Sequence, residues 1–282
     1  MLHIVMDTAG DMPGDWETKF NITTIPINIQ FGDSTYLSGI DISDEEFYRI
    51  ANETGKIPKT SQPSPQQFVD LYERIADPDD TILSIHVTGK LSGTFESAQL
   101  AARELVDKIQ VIPFDSFSGT TAMGYMCREA RKMDQAGASV QTIVNRLDQI
   151  RRQVKIVFTM DNLEYARMSG RVRALQAVLA SALNIKPIVD LKDGVLEIAD
   201  RVRTRRKSIN YLINYMSEKF NHKPVYASVV HCQDPEAGAA LLKRVKETLN
   251  CQDFIFSELS IGIAANLGPG TIGIVAFPVE EG

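Results

Sequence analysis

The chain has 282 residues, 44% of them hydrophobic and 23% charged, with a formal net charge of -6, enough to bury the core of one large or two medium globular domains. That negative balance offers no general attraction to nucleic-acid phosphates or anionic membranes, and no run approaches the roughly 20 apolar residues of a membrane span. Cys127, Cys232 and Cys251 are odd in number, far apart and without a CxxC spacing, which argues against a disulfide framework or a zinc site.

The opening MLHIVMDTAGDMPGDW has no basic segment followed by a long apolar one, so it does not read as a secretory signal, and the expected setting is a reducing cytoplasm. Leu2 to Met6 reads as a short buried parallel strand that ends in the polar loop Asp7-Thr8-Ala9-Gly10-Asp11. Ile22 to Phe31, rich in β-branched residues and stopped by Gly32-Asp33-Ser34, reads as a second strand. Ser43-Asp44-Glu45-Glu46 is a capping box for a helix through Ala51. Ser64-Pro65-Gln66-Gln67 starts another helix, with Phe68, Leu71, Tyr72 and Ile75 on one face. A strand over Thr81 to Val87, a helix over Gly93 to Val106, a strand over Ile109 to Phe114 and a helix over Gly119 to Gly137 follow. Strands alternating with helices in this way predict a parallel sheet with helices on both faces, which binds ligands at the carboxyl ends of its strands.

After a helix over Val140 to Gln153 the pattern changes. Lys155 to Thr159 is a predicted strand, and Leu163 to Met168 and Leu175 to Ala182 are predicted helices. Pro187 to Leu191 and Val195 to Val202 flank Asp193-Gly194, a hairpin signal. The remainder reads as a helix (Ser208 to Phe220), a strand (Val225 to His231), a helix (Pro235 to Leu249) and two strands (Phe254 to Leu259 and Gly273 to Phe277). A hairpin among such elements predicts a second α/β domain on a mixed sheet, with residues 1–154 forming the first domain and 155–282 the second.

Familiar catalytic signatures do not occur: there is no GxSxG, HExxH or Walker loop, and His3, His86, His222 and His231 are not spaced as metal ligands. Gly268-Pro269-Gly270-Thr271-Ile272-Gly273 is literally GxGxxG, but too few residues follow it for a dinucleotide-binding unit, so it reads as a rigid turn. Asp7-Thr8 after the first strand resembles an aspartyl-phosphatase start, yet the required second carboxylate position is Ala9. The more unusual feature is hydroxyl groups in loops at strand ends: Thr60-Ser61-Gln62-Pro63-Ser64-Pro65, Ser92-Gly93-Thr94 and Asp115-Ser116-Phe117-Ser118. Singly each is an N-cap; converging with helix N-termini, they would supply neutral donors to one anion. The basic stretch Arg201 to Lys207 reads by default as solvated surface.

Over essentially its whole length the chain resembles the DegV family, which includes the fatty-acid-binding subunits of the bacterial fatty acid kinase system. The resemblance is carried by Met6-Asp7-Thr8-Ala9-Gly10-Asp11-Met12-Pro13, Lys59-Thr60-Ser61-Gln62-Pro63-Ser64-Pro65, Leu91-Ser92-Gly93-Thr94, Asp115-Ser116, Leu163-Glu164-Tyr165 with Gly170-Arg171, Lys186-Pro187-Ile188, Val202-Arg203-Thr204 and Leu267-Gly268-Pro269-Gly270-Thr271. It implies an α/β fold of two domains, an N-terminal Rossmann-like parallel sheet and a C-terminal mixed sheet, with a long-chain fatty acid between them and no cofactor. By position, Thr60, Ser61 and Ser92 would hold the carboxylate, with Gly93 and Thr94 as backbone donors. Arg171 and Arg203 match arginines associated with the mouth of the site and with a partner kinase subunit, which makes the acyl phosphate for phospholipid synthesis. The implied protein is a cytoplasmic monomer that is a carrier and not itself an enzyme. Kinase-coupled members typically carry histidine two residues before the GPG turn, where this chain has Asn266. Asparagine keeps a hydrogen-bond donor for a carboxylate but cannot carry charge or shuttle a proton.

The chemistry fits such a ligand. Burying roughly 15 methylenes at about 0.8 kcal/mol each gives on the order of 12 kcal/mol before the costs of ordering the tail. An unpaired carboxylate would forfeit much of that, so several hydrogen bonds must meet it. Two other readings stand beside the carrier: a small-molecule hydrolase or phosphatase with Asp7 or Ser92 as nucleophile, and a lipid-sensing regulator that reports through Arg203.

Overall fold

A computed structural model describes residues 1–161, 163–172 and 185–279. From the amino terminus, β1 (Leu2–Asp7) leads through the short helix α1 (Trp16–Lys19) into β2 (Ile22–Ile25). The single strand expected over Ile22 to Phe31 is in fact two. Pro26 has no N–H to give a ladder, and the Ile27 N–H donates instead to Thr8 Oγ1 at 2.9 Å. The chain then enters a separate three-stranded sheet through β3 (Asn28–Phe31), which pairs antiparallel with β4 (Ser34–Leu37). After α2 (Asp44–Thr54), β5 (Lys59–Ser61) pairs with the other edge of β3. β4 and β5 carry few apolar residues and were not anticipated.

The first half continues with α3 (Pro65–Ile75), β6 (Thr81–His86), α4 (Thr94–Glu104), β7 (Gln110–Asp115), α5 (Thr121–Gln135) and α6 (Val140–Gln153). The capping box at Ser64 forms in full, with Ser64 and Gln67 satisfying each other's backbone N–H groups at 3.2 and 2.8 Å, whereas at Ser43 the Oγ accepts the Glu46 N–H at 3.2 Å and the Glu46 carboxylate turns to Arg49. The main sheet has the order β2-β1-β6-β7, with every pair parallel. Val5 and Ile82 on one face pack under Phe68, Leu71 and Tyr72 of α3 and Ala98 and Ala101 of α4. Their neighbours Ile4, Met6, Leu83 and Ile85 are equally buried and, by strand alternation, turn to the opposite face. α5 packs on β1 and β6. Each large side chain so buried contributes about 1.5–3 kcal/mol.

The second half is β8 (Lys155–Thr159), α7 (Glu164–Ser169), β9 (Lys186–Lys192), β10 (Val195–Val202), α8 (Arg205–Phe220), β11 (Val225–His231), α9 (Pro235–Thr248), β12 (Cys251–Glu258), α10 (Ile261–Leu267) and β13 (Ile272–Pro278). The helix expected over Leu175 to Ala182 lies outside the described residues. The hairpin forms as expected: Asp193 (φ 50°) and Gly194 (φ 80°) make the left-handed pair a two-residue turn requires. The sheet order is β10-β9-β8-β13-β11-β12, parallel only between β11 and β12. Val157, Ile188, Val229, Ile272 and Ile274 bury against Leu212 and Met216 of α8 and Leu241 and Val245 of α9. The short helix α10, whose sequence IGIAANL has no charged residue, was not anticipated.

The chain divides into two compact units, Met1–Arg151 with Ser260–Gly262, and Arg152–Leu259 with Ile263–Gly282. Among the described residues, no helix is long and apolar enough to cross a membrane.

Candidate carboxylate-binding site

In the first unit the hydroxyl-bearing loops are brought together. Thr60 and Ser61 end β5, opposite Ile29 and Asn28 of β3, and the Asn28 side chain donates to the Gln62 carbonyl at 3.1 Å. The Gln62 side chain then reaches the second loop: a Cβ on Gly93 would lie 2.6 Å from Gln62 Nε2. Gly93 is therefore the residue whose missing side chain lets the two segments meet. Beside it, Ser92 Oγ and Thr94 Oγ1 are 2.8 Å apart, and the Thr94 N–H donates to Ser92 Oγ at 3.3 Å. When the Thr94 hydroxyl also donates to Ser92, the Ser92 proton is left to point at an external acceptor. Gly93 is the N-cap of α4, so the positive end of that helix adds to the same field. Thr60, Ser92 and Gly93 are half-buried, Ser61 is exposed and Thr94 is buried.

Buried carboxylates hold these loops. The register that places Met6 beside Ile85 puts Asp7 next to His86 at the ends of their strands. Asp7 accepts from the Ala9 and Val87 N–H groups at 3.0 and 2.9 Å and from His86 Nδ1 at 3.0 Å. His86 Nε2 lies 2.7 Å from Ser84 Oγ, which accepts the Tyr72 hydroxyl at 2.7 Å. A neutral His86 protonated on Nδ1 satisfies the whole chain of groups: Tyr72 donates to Ser84, Ser84 to Nε2, and Nδ1–H to Asp7. Burial raises the Tyr72 hydroxyl well above the ordinary phenol range, which keeps it a donor. Asp7 is fully buried and accepts three hydrogen bonds, a setting that suits a brace better than a nucleophile. Its part is to fix the loop that runs from Val87 to Ser92.

The third loop is braced in the same way. Asp115 accepts from Phe117 N–H at 2.9 Å and from Gly89 N–H at 3.2 Å, tying the β7 and β6 exits together. Burial raises its carboxyl above the ordinary value, against those two donors and the charges of Arg151 and Lys90. The Thr88 N–H donates to the Ser118 carbonyl at 2.9 Å. Asp11 receives the Thr120 hydroxyl and, at 2.8 Å, the Ser260 N–H at the start of α10.

In the second unit, half-buried Asn266 lies in the last turn of α10, and its carbonyl accepts from Ser169 Oγ at 3.4 Å. The GPG turn follows. A Cβ on Gly268 (φ 77°) would lie 2.7 Å from Tyr165 Cγ, and one on Gly270 (φ 79°) 2.8 Å from Asp161 Cβ. Both glycines are thus required by conformation and by close approach. Arg171 is exposed, with Nη1 donating to the Ser169 carbonyl at 2.6 Å, and Arg203 is exposed just before Thr204, the N-cap of α8. Arg205, read from sequence as part of a solvated basic stretch, is instead half-buried and paired with Asp234 at 2.7 Å. Its position two residues beyond an exposed arginine, directly after a capping threonine, is the one sequence hint of this. Among the described residues no cluster of His, Cys, Asp and Glu could hold a metal ion.

The fold recurs in known proteins. The sequence model described as "Uncharacterised protein, DegV family" matches residues 1–279. The chain belongs to the DegV family. A DegV domain-containing protein of Caldanaerobacter subterraneus is 32% identical over 274 residues, covering 96% of each chain. The structure resembles that of a DegV family protein of Thermus thermophilus described by its fatty acid binding, with a TM-score of 0.90 and 30% identity over 99% of both chains. It is also similar to a stearic acid-binding protein from Eubacterium ventriosum, with a TM-score of 0.88 and 26% identity over 99% of this chain and 98% of the other. Both of these proteins are described as binding a fatty acid, and the two-part α/β architecture expected from the resemblance is the one observed.

Proposed function

We propose that this protein is a non-catalytic carrier that binds one long-chain fatty acid. Its carboxylate is received by Thr60, Ser61, Ser92, Gly93 and Thr94. The observation that carries this reading is the meeting of the Thr60–Gln62 and Ser92–Thr94 segments across Gly93, which gathers neutral donors at one helix N-terminus. Hydroxyl and backbone donors suit a carboxylate better than a phosphate dianion, which normally draws arginine or lysine as well. Exposed Arg203 is the proposed contact for a separate kinase subunit, Arg171 the proposed rim of the site, and acyl phosphate formation the proposed fate of the acid. Cytoplasmic location and a monomeric state belong to the same reading.

Two measurements test it. Mass spectrometry of an organic extract from the denatured, purified protein should find a near-stoichiometric fatty acid that is absent from an unrelated protein prepared in parallel. In titrations with stearate, Ser92→Ala should weaken binding by about tenfold or more, the worth of one hydrogen bond to a charged group. Undiminished affinity in that variant would remove Ser92 from the carboxylate site. No acid in the extract, and none taken up from a mixture, would end the carrier reading.

A further inference from the structure

We propose that Asp41, Pro113, Asp200 and Asp253 guard the open sheet edges of this protein, each withholding an outward backbone N–H, and so keep the chain from adding a strand of a second copy of itself. This goes beyond the carrier reading and does not depend on it.

An edge strand turns alternate N–H and C=O groups away from its sheet, where another chain can pair with them. In β12 the Leu259 N–H donates to the His231 carbonyl of β11 at 2.7 Å. By alternation Asp253, Ile255 and Ser257 also face β11, and Phe254, Phe256 and Glu258 face out. The outward Phe254 N–H is held: it donates to Asp253 Oδ1 at 2.8 Å. In β10, counting pairs from the Asp193-Gly194 turn through the bulge at Ala199 leaves Arg201 opposite Pro187 in a pair without ladder bonds. The outward Arg201 N–H donates to Asp200 Oδ1 at 2.7 Å. In β4 the Ser38 N–H returns to the Ile27 carbonyl at 3.0 Å, which turns the Leu37 N–H outward, and Asp41 Oδ2 accepts it at 3.0 Å.

The edge strand β7 is closed by other means. Its Ser116 N–H donates to the His86 carbonyl at 3.0 Å, so Val111, Pro113 and Asp115 face out. Pro113 has no N–H to offer, and the Asp115 carbonyl accepts from Arg151 Nη1 at 2.9 Å. The remaining edge strands, β2 and β5, are only four and three residues long. Aspartate is a poor strand former, so its place in β10 and β12, beside the N–H it takes, is not explained by the strand itself.

The guard matters most at β12. This strand has eight residues, runs without a bulge from Asp253 to Glu258, and exposes Phe254 by 45% and Phe256 by 40%. Lys246 adds a charge over the Phe254 ring, 3.1 Å from its centroid. A second copy pairing antiparallel along this edge would have to displace Asp253 from Phe254 in both chains, so by two-fold symmetry the guard counts twice.

Sedimentation equilibrium tests this on the whole chain. The wild-type protein should be a monomer, and Asp253→Ala, which frees the Phe254 N–H in each copy, should strengthen self-association by about tenfold or more. Asp253→Asn keeps an oxygen to accept that N–H and should stay monomeric. Adding Phe254→Pro to Asp253→Ala removes the outward N–H without touching the ladder, and should return the protein to a monomer. If Asp253→Ala does not fold, Pro113→Val puts the same question to β7, where a regained outward N–H should likewise promote dimers. Asp253→Ala or, in its place, Pro113→Val remaining as monomeric as the wild type would overturn the proposal. So would a wild-type protein that already associates as strongly as Asp253→Ala. Equal association of the Ala and Asn variants would assign the effect to charge alone and overturn the role of the held N–H.

Discussion

Strand-end loops are braced by carboxylates in both units, under opposite conditions. In the first, Asp7 and Asp11 are 0% and 5% exposed and are met by backbone N–H groups, a hydroxyl and a histidine ring. In the second, the side chains of Asp161 and Asp234 are 38% and 29% exposed and face Lys186 and Arg205. A sealed carboxylate is costly to keep charged and more costly to remove once its donors depend on it, whereas a half-exposed ion pair is already partly solvated. The two regions should therefore respond very differently to the loss of one acid group.

The sharpest test is Asp7→Ala, which strands the Ala9 and Val87 N–H groups and His86 Nδ1 in a fully buried setting. It should destabilise the protein by about 3–5 kcal/mol, read as a shift in the urea unfolding midpoint at unchanged slope. A loss below about 1 kcal/mol would mean that water or rearrangement satisfies those donors, and the contrast between the units would lose its basis.

Asp11 gives the next effect, and pH reveals it. Burial pushes its carboxyl up to about 6 from 3.8, with the Thr120 and Ser260 hydrogen bonds and nearby Asp44 as smaller influences. The folded state thus holds this proton to a higher pH than the unfolded chain does. Falling pH should favour the folded state through this group, from about 6 down to the unfolded value near 4, and the gain should be lost as pH rises through 6. Asp11→Asn can still accept from Ser260 and donate to Thr120, but it carries no charge to desolvate. At pH 7 it should gain stability over the wild-type protein by up to an order of 3 kcal/mol, and the gain should vanish near pH 4. A difference that is flat across pH 4–7 would show that Asp11 is not a desolvated acid.

Much of this was legible in the sequence for definite reasons. Ser64 with Gln67, Asp193-Gly194 and the alternating apolar runs announced a helix start, a hairpin and two sheets, because each rests on local geometry. The Ser92 and Asp115 loops could be expected side by side because parallel strands deliver their exits to one edge, while the place of Thr60 and Ser61 beside them came from the family resemblance. What could not be read depends on tertiary partners. Pro26 turns one apparent strand into two members of different sheets, and β5, which carries Thr60 and Ser61, exists only because β3 is there to pair with it. Helix α10, which carries Asn266, has no signal in its own residues, and its start is pinned by Asp11, 249 positions away in sequence. Arg205 looked like solvated charge because its acceptors, Asp234 and the Gly270 carbonyl, come from distant turns.

The smallest predicted effect completes the contrast. Asp161 touches Gly270 through its Cβ and pairs with Lys186 at 2.8 Å and more distantly with Arg205. Asp161→Asn keeps the shape that fills the space beside the glycine and removes only the charge. Because both partners of the Lys186 pair are partly solvated, with side-chain exposures of 26% and 38%, the loss should stay under about 1 kcal/mol. It should also shrink further between about 0.1 and 1 M salt, as screening weakens the wild-type pair, whereas the Asp7→Ala loss should hardly change over that range. If Asp161→Asn proves as damaging as Asp7→Ala and insensitive to salt, burial is not what separates the two regions. The charge network around Arg205 would then have to be counted as core structure of the second unit.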